Sequence, residues 1–166
     1  MKIGIAADHA GQRLKAAITE HLRDAGHTIV SFGPETTPDD DYPLIARVLG
    51  EAVQRAEVER AIFCCGSGIG PAVALNKMPG VRAAVVDNEW SARDAVMHVD
   101  VNVLTLGERV IGEELAKSVV DAFLGARPEG GRHERRRKQI SEMETSRARS
   151  TSRATSESAS RVTTSG

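Results

Sequence analysis

Ala61-Ile62-Phe63-Cys64-Cys65-Gly66-Ser67-Gly68-Ile69-Gly70 decides the reading of this chain. The apolar, partly β-branched run at its start reads as a buried parallel strand. It ends in three glycines, and Pro71 to Lys77 reads as the first turns of a helix. A strand that stops in a Gly-rich turn and feeds a helix builds a small-molecule site. The backbone can approach a ligand closely there, and the first helical N–H groups lack internal partners. Cys65 stands at the lip of the turn, where those N–H groups would favour a negatively charged sulfur. Neighbours on a strand point to opposite faces, so Cys64 is expected to pack and Cys65 to carry the chemistry.

The flanking sequence repeats the pattern. Lys2 to Ala7, His27 to Phe32, Arg60 to Cys65, Val81 to Val86 and Val101 to Leu106 are strand-like. Between and after them lie helical stretches. Gly11 to Ala25 has Leu14, Ile18 and Leu22 on one face and Gly26 as its stop. Tyr42 onward has Pro43 in its first turn. Pro71 to Met78, Glu89 to Met97, Gly112 to Leu124 and a basic helix from about Gly131 to Met143 follow. Strands alternating with helices predict an α/β fold, a three-layer Rossmann-like sandwich around a five-stranded parallel sheet. In such sheets ligands bind beyond the carboxyl ends of the strands. One rim should therefore carry Asp8-His9, Cys65 to Gly70, Asp87 and Gly107 to Arg109.

Length and composition narrow the function classes. The chain has 166 residues and a formal net charge of −1. That suits one domain with a real core and gives no global field to recruit nucleic acid or a membrane. No apolar run approaches the ~20 residues of a membrane span. The two cysteines are adjacent and form no disulfide framework, so a reducing, cytoplasmic compartment is expected. Residues 1–143 read as the folded domain. Residues 144–166, rich in Ser, Thr and Arg with almost no large apolar side chain, read as a disordered tail. The segment from Gly33 to Asp41, with two prolines and an aspartate run, reads as a loop.

No single motif is decisive. Gly66-Ser67-Gly68-Ile69-Gly70 is neither the dinucleotide pattern nor a P-loop, and such a turn can be merely structural. His9 and His98 sit at element junctions, where histidines are often simply solvated. Arg132-His133-Glu134-Arg135-Arg136 is a dense cationic run on a predicted helix. Arg132 and Arg136 share a face and would suit a phosphate. Basic runs are commonly solvated, and this one lacks the interleaved aromatics that base stacking needs.

Taken together, the motifs are recognisable. Ala7-Asp8-His9-Ala10-Gly11, Asp41-Tyr42-Pro43, Cys65 to Gly70, Asn76-Lys77 with Pro79 to Arg82, Gly107 to Gly112, and Gly130 to His133 occur in this order. The chain resembles the type B ribose-5-phosphate isomerases, which belong with the galactose-6-phosphate isomerase subunits and allose-6-phosphate isomerases. The resemblance covers Met1 to about Met143.

The resemblance implies an aldose–ketose isomerase of small sugar phosphates, working through an enediolate without a metal or other cofactor. Ribose 5-phosphate and ribulose 5-phosphate are the first expectation. Cys65 would be the base moving a proton between C1 and C2. Ser67 and the N–H groups around Gly66, Gly68, Ile69 and Gly70 would hold the oxyanion. Asp8 and His98 would open the furanose. His9, Arg109, Arg132 and Arg136 would bind the phosphate, with His133 close by, and Tyr42 would line the pocket. A homodimer or dimer of dimers with sites at the interface is also implied.

The residues alone would have placed the phosphate on the glycine turn. That turn carries no nearby Lys or Arg, which favours the cationic run near Arg132. One departure concerns Val99, where family members commonly carry an Asn that bonds the substrate. A lost hydrogen bond to a buried partner costs roughly 1–3 kcal/mol. The substrate could therefore be another phosphosugar, such as erythrulose 4-phosphate or allose 6-phosphate. Another branch of the family uses a glutamate that would fall at Pro71, which leaves Cys65 as the base here. A non-catalytic phosphosugar-binding module and a redox role for Cys64-Cys65 are competing readings. The second lacks the usual C-x-x-C spacing.

Overall fold

The strands β1 (Lys2–Ala7), β2 (Thr28–Phe32), β3 (Arg60–Cys65), β4 (Ala83–Val85) and β5 (Val103–Gly107) form one sheet in the order β2-β1-β3-β5-β4. Every pairing is parallel. The computed structural model describes residues 1–32 and 41–144. The predicted loop lies outside the described residues apart from Asp41, and the predicted tail apart from Glu144.

The helices are α1 (Gln12–Asp24), α2 (Tyr42–Gln54), α3 (Ile69–Leu75), α4 (Glu89–Val99), α5 (Glu113–Gly125) and α6 (residues 132–144). One side of the sheet packs α1, α4 and α5, and the other packs α2 and α3. The alternation along β3 shows why. Ile62 and Cys64 point into the first core, while Ala61, Phe63 and Cys65 point into the second. The predicted doubly covered parallel sheet is what forms. Among the described residues, no helix is long and apolar enough to cross a membrane.

Local signals set most boundaries. Leu14, Ile18 and Leu22 are the buried residues of α1, each contributing about 1.5–3 kcal/mol by leaving water. Past its end, His27 N–H donates to the Leu22 carbonyl at 2.9 Å and Gly26 takes φ +80°. This is a Schellman stop. α3 differs from expectation. It starts at Ile69 rather than Pro71, because Gly68 adopts the left-handed conformation and turns the chain into the helix immediately.

The topology also places a site. From β1 the chain crosses to β2 on one side, whereas from β3 it crosses to β4 and β5 on the other. The switch lies between β1 and β3, whose carboxyl ends pair as Ala7 with Cys64. β5 ends beside them, with Gly107 opposite Cys65. A crevice is expected at that switch.

Candidate active site

An open cavity of ≈ 550 Å³ occupies the switch point. Its lining includes Asp8, His9, Tyr42, Cys65, Gly66, Ser67, Ile69, Gly70 and Arg109, all singled out in the sequence. Ala10, Pro71 and Val110 complete it. Sequence reading did not assign those three to the site, and only their adjacency to the motifs marks them.

The floor of the cavity is Cys65, only 4 % exposed. Gly68 N–H donates to its Sγ at 2.9 Å. The turn that makes this contact needs glycine, since Gly68 has φ +80° and an added Cβ would sit 3.2 Å from the Thr105 carbonyl oxygen. The backbone of β5 also comes very close. A Cβ on Gly107 would lie 2.7 Å from the Ser67 carbonyl carbon. Ser67 itself is exposed, and its Oγ accepts from Ile69 N–H at 3.3 Å, which leaves the hydroxyl proton free to donate. Cys64, fully buried on the opposite face, has its thiol pushed up chiefly by burial and stays a packing residue.

Asp8 and Tyr42 form the sides. Asp8 is buried, and its Oδ1 accepts from Ala10 N–H at 2.9 Å, an Asx turn that fixes the carboxylate at the end of β1. The Tyr42 ring lies over Gly70, where an added Cβ would come within 2.7 Å of Cζ. The glycine turn is not without a cation. Arg109 places Nη1 3.3 Å from the position of a Cβ on Gly66. The expectation of a turn without a basic neighbour is therefore corrected. β5 pairs with β3, so a residue distant in sequence arrives beside the turn, held by Arg109 N–H donating to the Gly66 carbonyl at 3.1 Å.

The remaining predicted residues gather elsewhere. His98 is near the end of α4, which runs back from the strand ends toward the start of β5. The His98 and His133 rings stack with centroids 3.9 Å apart and planes 11° apart. Asp94 Oδ1 lies 2.7 Å from His98 Nδ1. Arg132 Nε donates to His133 Nε2 at 3.1 Å, and Arg137 of α6 clamps the carbonyls of Met97, His98 and Glu129. Arg132 and Arg136 are exposed alongside. Burial, then the neighbouring His98 and Arg132, push the His133 imidazole below its usual range.

Cys65 and His98 thus belong to opposite ends of the sheet. β3 alone, with six residues, spans about 20 Å. Side chains at these two ends do not meet within one chain.

His98, Glu129 and His133 present ligand-type atoms within 4.8 Å of one another. The stacked rings direct their lone pairs side by side rather than at a common point, and Arg132 already occupies His133 Nε2. Guanidiniums around the group match an anion better than a cation.

Comparison with known proteins bears on this arrangement. The Ribose/Galactose Isomerase family matches residues 3–140. Ribose-5-phosphate isomerase B of Escherichia coli (strain K12) is 43% identical over 143 residues, covering 86% of this chain and 96% of that protein. D-erythrulose-4-phosphate isomerase of Pectobacterium atrosepticum is 39% identical over 132 residues, covering 79% and 87%. The structure of Clostridium thermocellum ribose-5-phosphate isomerase B superposes with a TM-score of 0.85 at 44% identity, covering 88% of this chain and 99% of that one. Ribose-5-phosphate isomerase B from Mycoplasma genitalium, solved with bound ribulose-5-phosphate, gives 0.82 at 39% identity, covering 87% and 96%. With likeness of sequence and fold extending over nearly the whole described chain, the protein belongs to the ribose/galactose isomerase family and is an isomerase.

Proposed function

We propose that this isomerase interconverts ribose 5-phosphate and ribulose 5-phosphate, with Cys65 as the base. The observation that carries the reading is the Gly68 N–H aimed at Cys65 Sγ on the cavity floor. The thiolate removes the C2 proton of the open aldose, and the electron pair forms the C1–C2 double bond of an enediolate. The same thiol returns the proton to C1, while the hydroxyl proton passes from O2 to O1. Ser67 Oγ–H and the N–H groups of the glycine turn not already given to Cys65 Sγ or Ser67 Oγ face the oxygen where charge develops, the placement that stabilises such intermediates best. No cofactor enters the scheme.

The cyclic aldose must open first. The Asp8 carboxylate takes the O1 proton, the C1–O4 bond breaks, and the His98 imidazolium protonates O4. His98 lies at the far end of its own sheet, so it acts in the cavity of a second copy. Arg132 and Arg136, with His133 beside them, arrive on the same end of that copy and join His9 and Arg109 on the phosphate. Exposed Ile69 and Val110 on the cavity lining, with Leu44 and Val48 exposed on α2 and Val73 on α3, supply apolar surface for such a homodimer.

Val99, exposed next to His98, favours a second substrate reading. It cannot bond a sugar hydroxyl, so erythrulose 4-phosphate, with one hydroxyl fewer, would lose less than ribose 5-phosphate does, while allose 6-phosphate would need another residue to hold that hydroxyl. A coupled assay across the three sugars tests both readings, with Cys65→Ala as control. The expected result is turnover of ribose 5-phosphate that Cys65→Ala abolishes while phosphosugar binding persists. Full activity in Cys65→Ala would refute the cysteine base. Binding without solvent deuterium entering C1 or C2 would leave only a binding module.

A further inference from the structure

We infer that Asp94 is a positioning residue for His98, which rests on the isomerase reading above. The two side chains lie four residues apart on one face of α4, with Asp94 Oδ1 2.7 Å from His98 Nδ1. A carboxylate can only accept, so Nδ1 carries the proton and Nε2 is the nitrogen turned toward the substrate. Glu129 comes within 4.8 Å of the pair of rings but ion-pairs with His133, and the remaining neighbours hold the His98 ring without assigning its nitrogens. His133 stacks flat on it at 3.9 Å, and Arg137 fixes the backbone carbonyls of Met97 and His98. Stacking sets the plane of the ring. Rotation within that plane, and so which nitrogen faces outward, is set by Asp94.

This carboxylate–histidine pair, half-buried on α4, follows the logic by which an acid orients a catalytic imidazole. Asp94 exchanges no proton with the sugar. Its place is behind the ring-opening step, where the imidazolium Nε2–H goes to O4 as the C1–O4 bond breaks and Asp8 takes the O1 proton. It has no part in the proton transfer at Cys65.

That division separates Asp94 from a merely structural residue. Ribose 5-phosphate is largely a furanose and must be opened. Ribulose 5-phosphate is already open, because the hydroxyl that could close a five-membered ring on C2 carries the phosphate. Exchange of its C1 proton with solvent needs Cys65 but no ring opening.

The experiment compares the full-length wild type with Asp94→Asn and Asp94→Glu. It measures kcat/KM on ribose 5-phosphate and deuterium entry at C1 of ribulose 5-phosphate. We expect Asp94→Asn to lower kcat/KM on the aldose about 10-fold or more, to leave C1 exchange unchanged, and Asp94→Glu to restore part of the loss. Equal losses in both reactions, or no loss in either, would overturn the inference while leaving the isomerase reading intact. A wild type that neither exchanges nor turns over the sugar would overturn that reading itself.

Discussion

Gly68 N–H points at Cys65 Sγ from 2.9 Å, across a turn that only a left-handed residue can close. The contact ties the conformation of one glycine to the reactivity of a sulfur. Gly68→Ala adds a Cβ 3.1 Å from Val85 Cγ1 and 3.2 Å from the Thr105 carbonyl oxygen, at φ +80°. The turn must shift and the donor leaves the sulfur. Alkylation of Cys65 by iodoacetamide should slow, and kcat should fall by roughly 10²-fold, as for loss of one aimed donor. An unchanged alkylation rate would show that the N–H does not activate Cys65.

The separation of Cys65 from His98 makes a sharper test of assembly. In the homodimer proposed above, the Cys65→Ala and His98→Ala variants should each be inactive. Mixed by unfolding and refolding together, half of the dimers are hybrids, and each hybrid has one intact site and one doubly defective site. Recovery of about a quarter of wild-type activity is expected. No recovery would mean that both groups act within one chain.

His133 gives a pH dependence with a definite sign. Its imidazole is buried and lies below the ordinary value of 6.5, owing first to burial and then to His98 and Arg132. Glu129 opposes the shift and Arg136 adds to it. Between the folded value and 6.5 the unfolded chain holds more protons, so stability rises with pH there. The contribution is complete above 6.5 and is lost as pH falls through the folded value. Tm should therefore decline from pH 7.5 to pH 5.5, and His133→Asn should flatten that decline. A variant with the same slope would assign the dependence to another group.

Glu108 supplies what α1 lacks. The first turn of α1 has no acidic residue and its N-cap, Gly11, offers no side chain. Glu108 Oε2 accepts from Leu14 N–H at 3.0 Å. Glu108→Ala should cost about 1 kcal/mol and lower Tm by roughly 2–4 °C. Glu108→Gln keeps an acceptor and should lose less. Arg13, 4.0 Å from the same carboxylate on a side chain 92% exposed, should be nearly silent when changed to Ala. A large effect of Arg13→Ala in thermal melts would contradict this account of the helix end.

What the chain determined by itself is local. Periodicity marked the strands and helices, Gly26 marked the end of α1, and strand alternation set Cys64 and Cys65 on opposite faces. The glycine turn at Cys65 was legible as a site because its chemistry is written in ten consecutive residues. The start of α3 was read two residues late, since the left-handed turn at Gly68 is a backbone choice that residue types do not announce. Only the tertiary structure decided that Arg109 reaches Gly66, that Glu108 caps a helix 94 residues away, and that His98 stacks on His133 at the far end from Cys65. These contacts follow from strand order and from the side of the sheet on which each helix returns. Such choices depend on the summed packing of both cores, so no short stretch of sequence contains them.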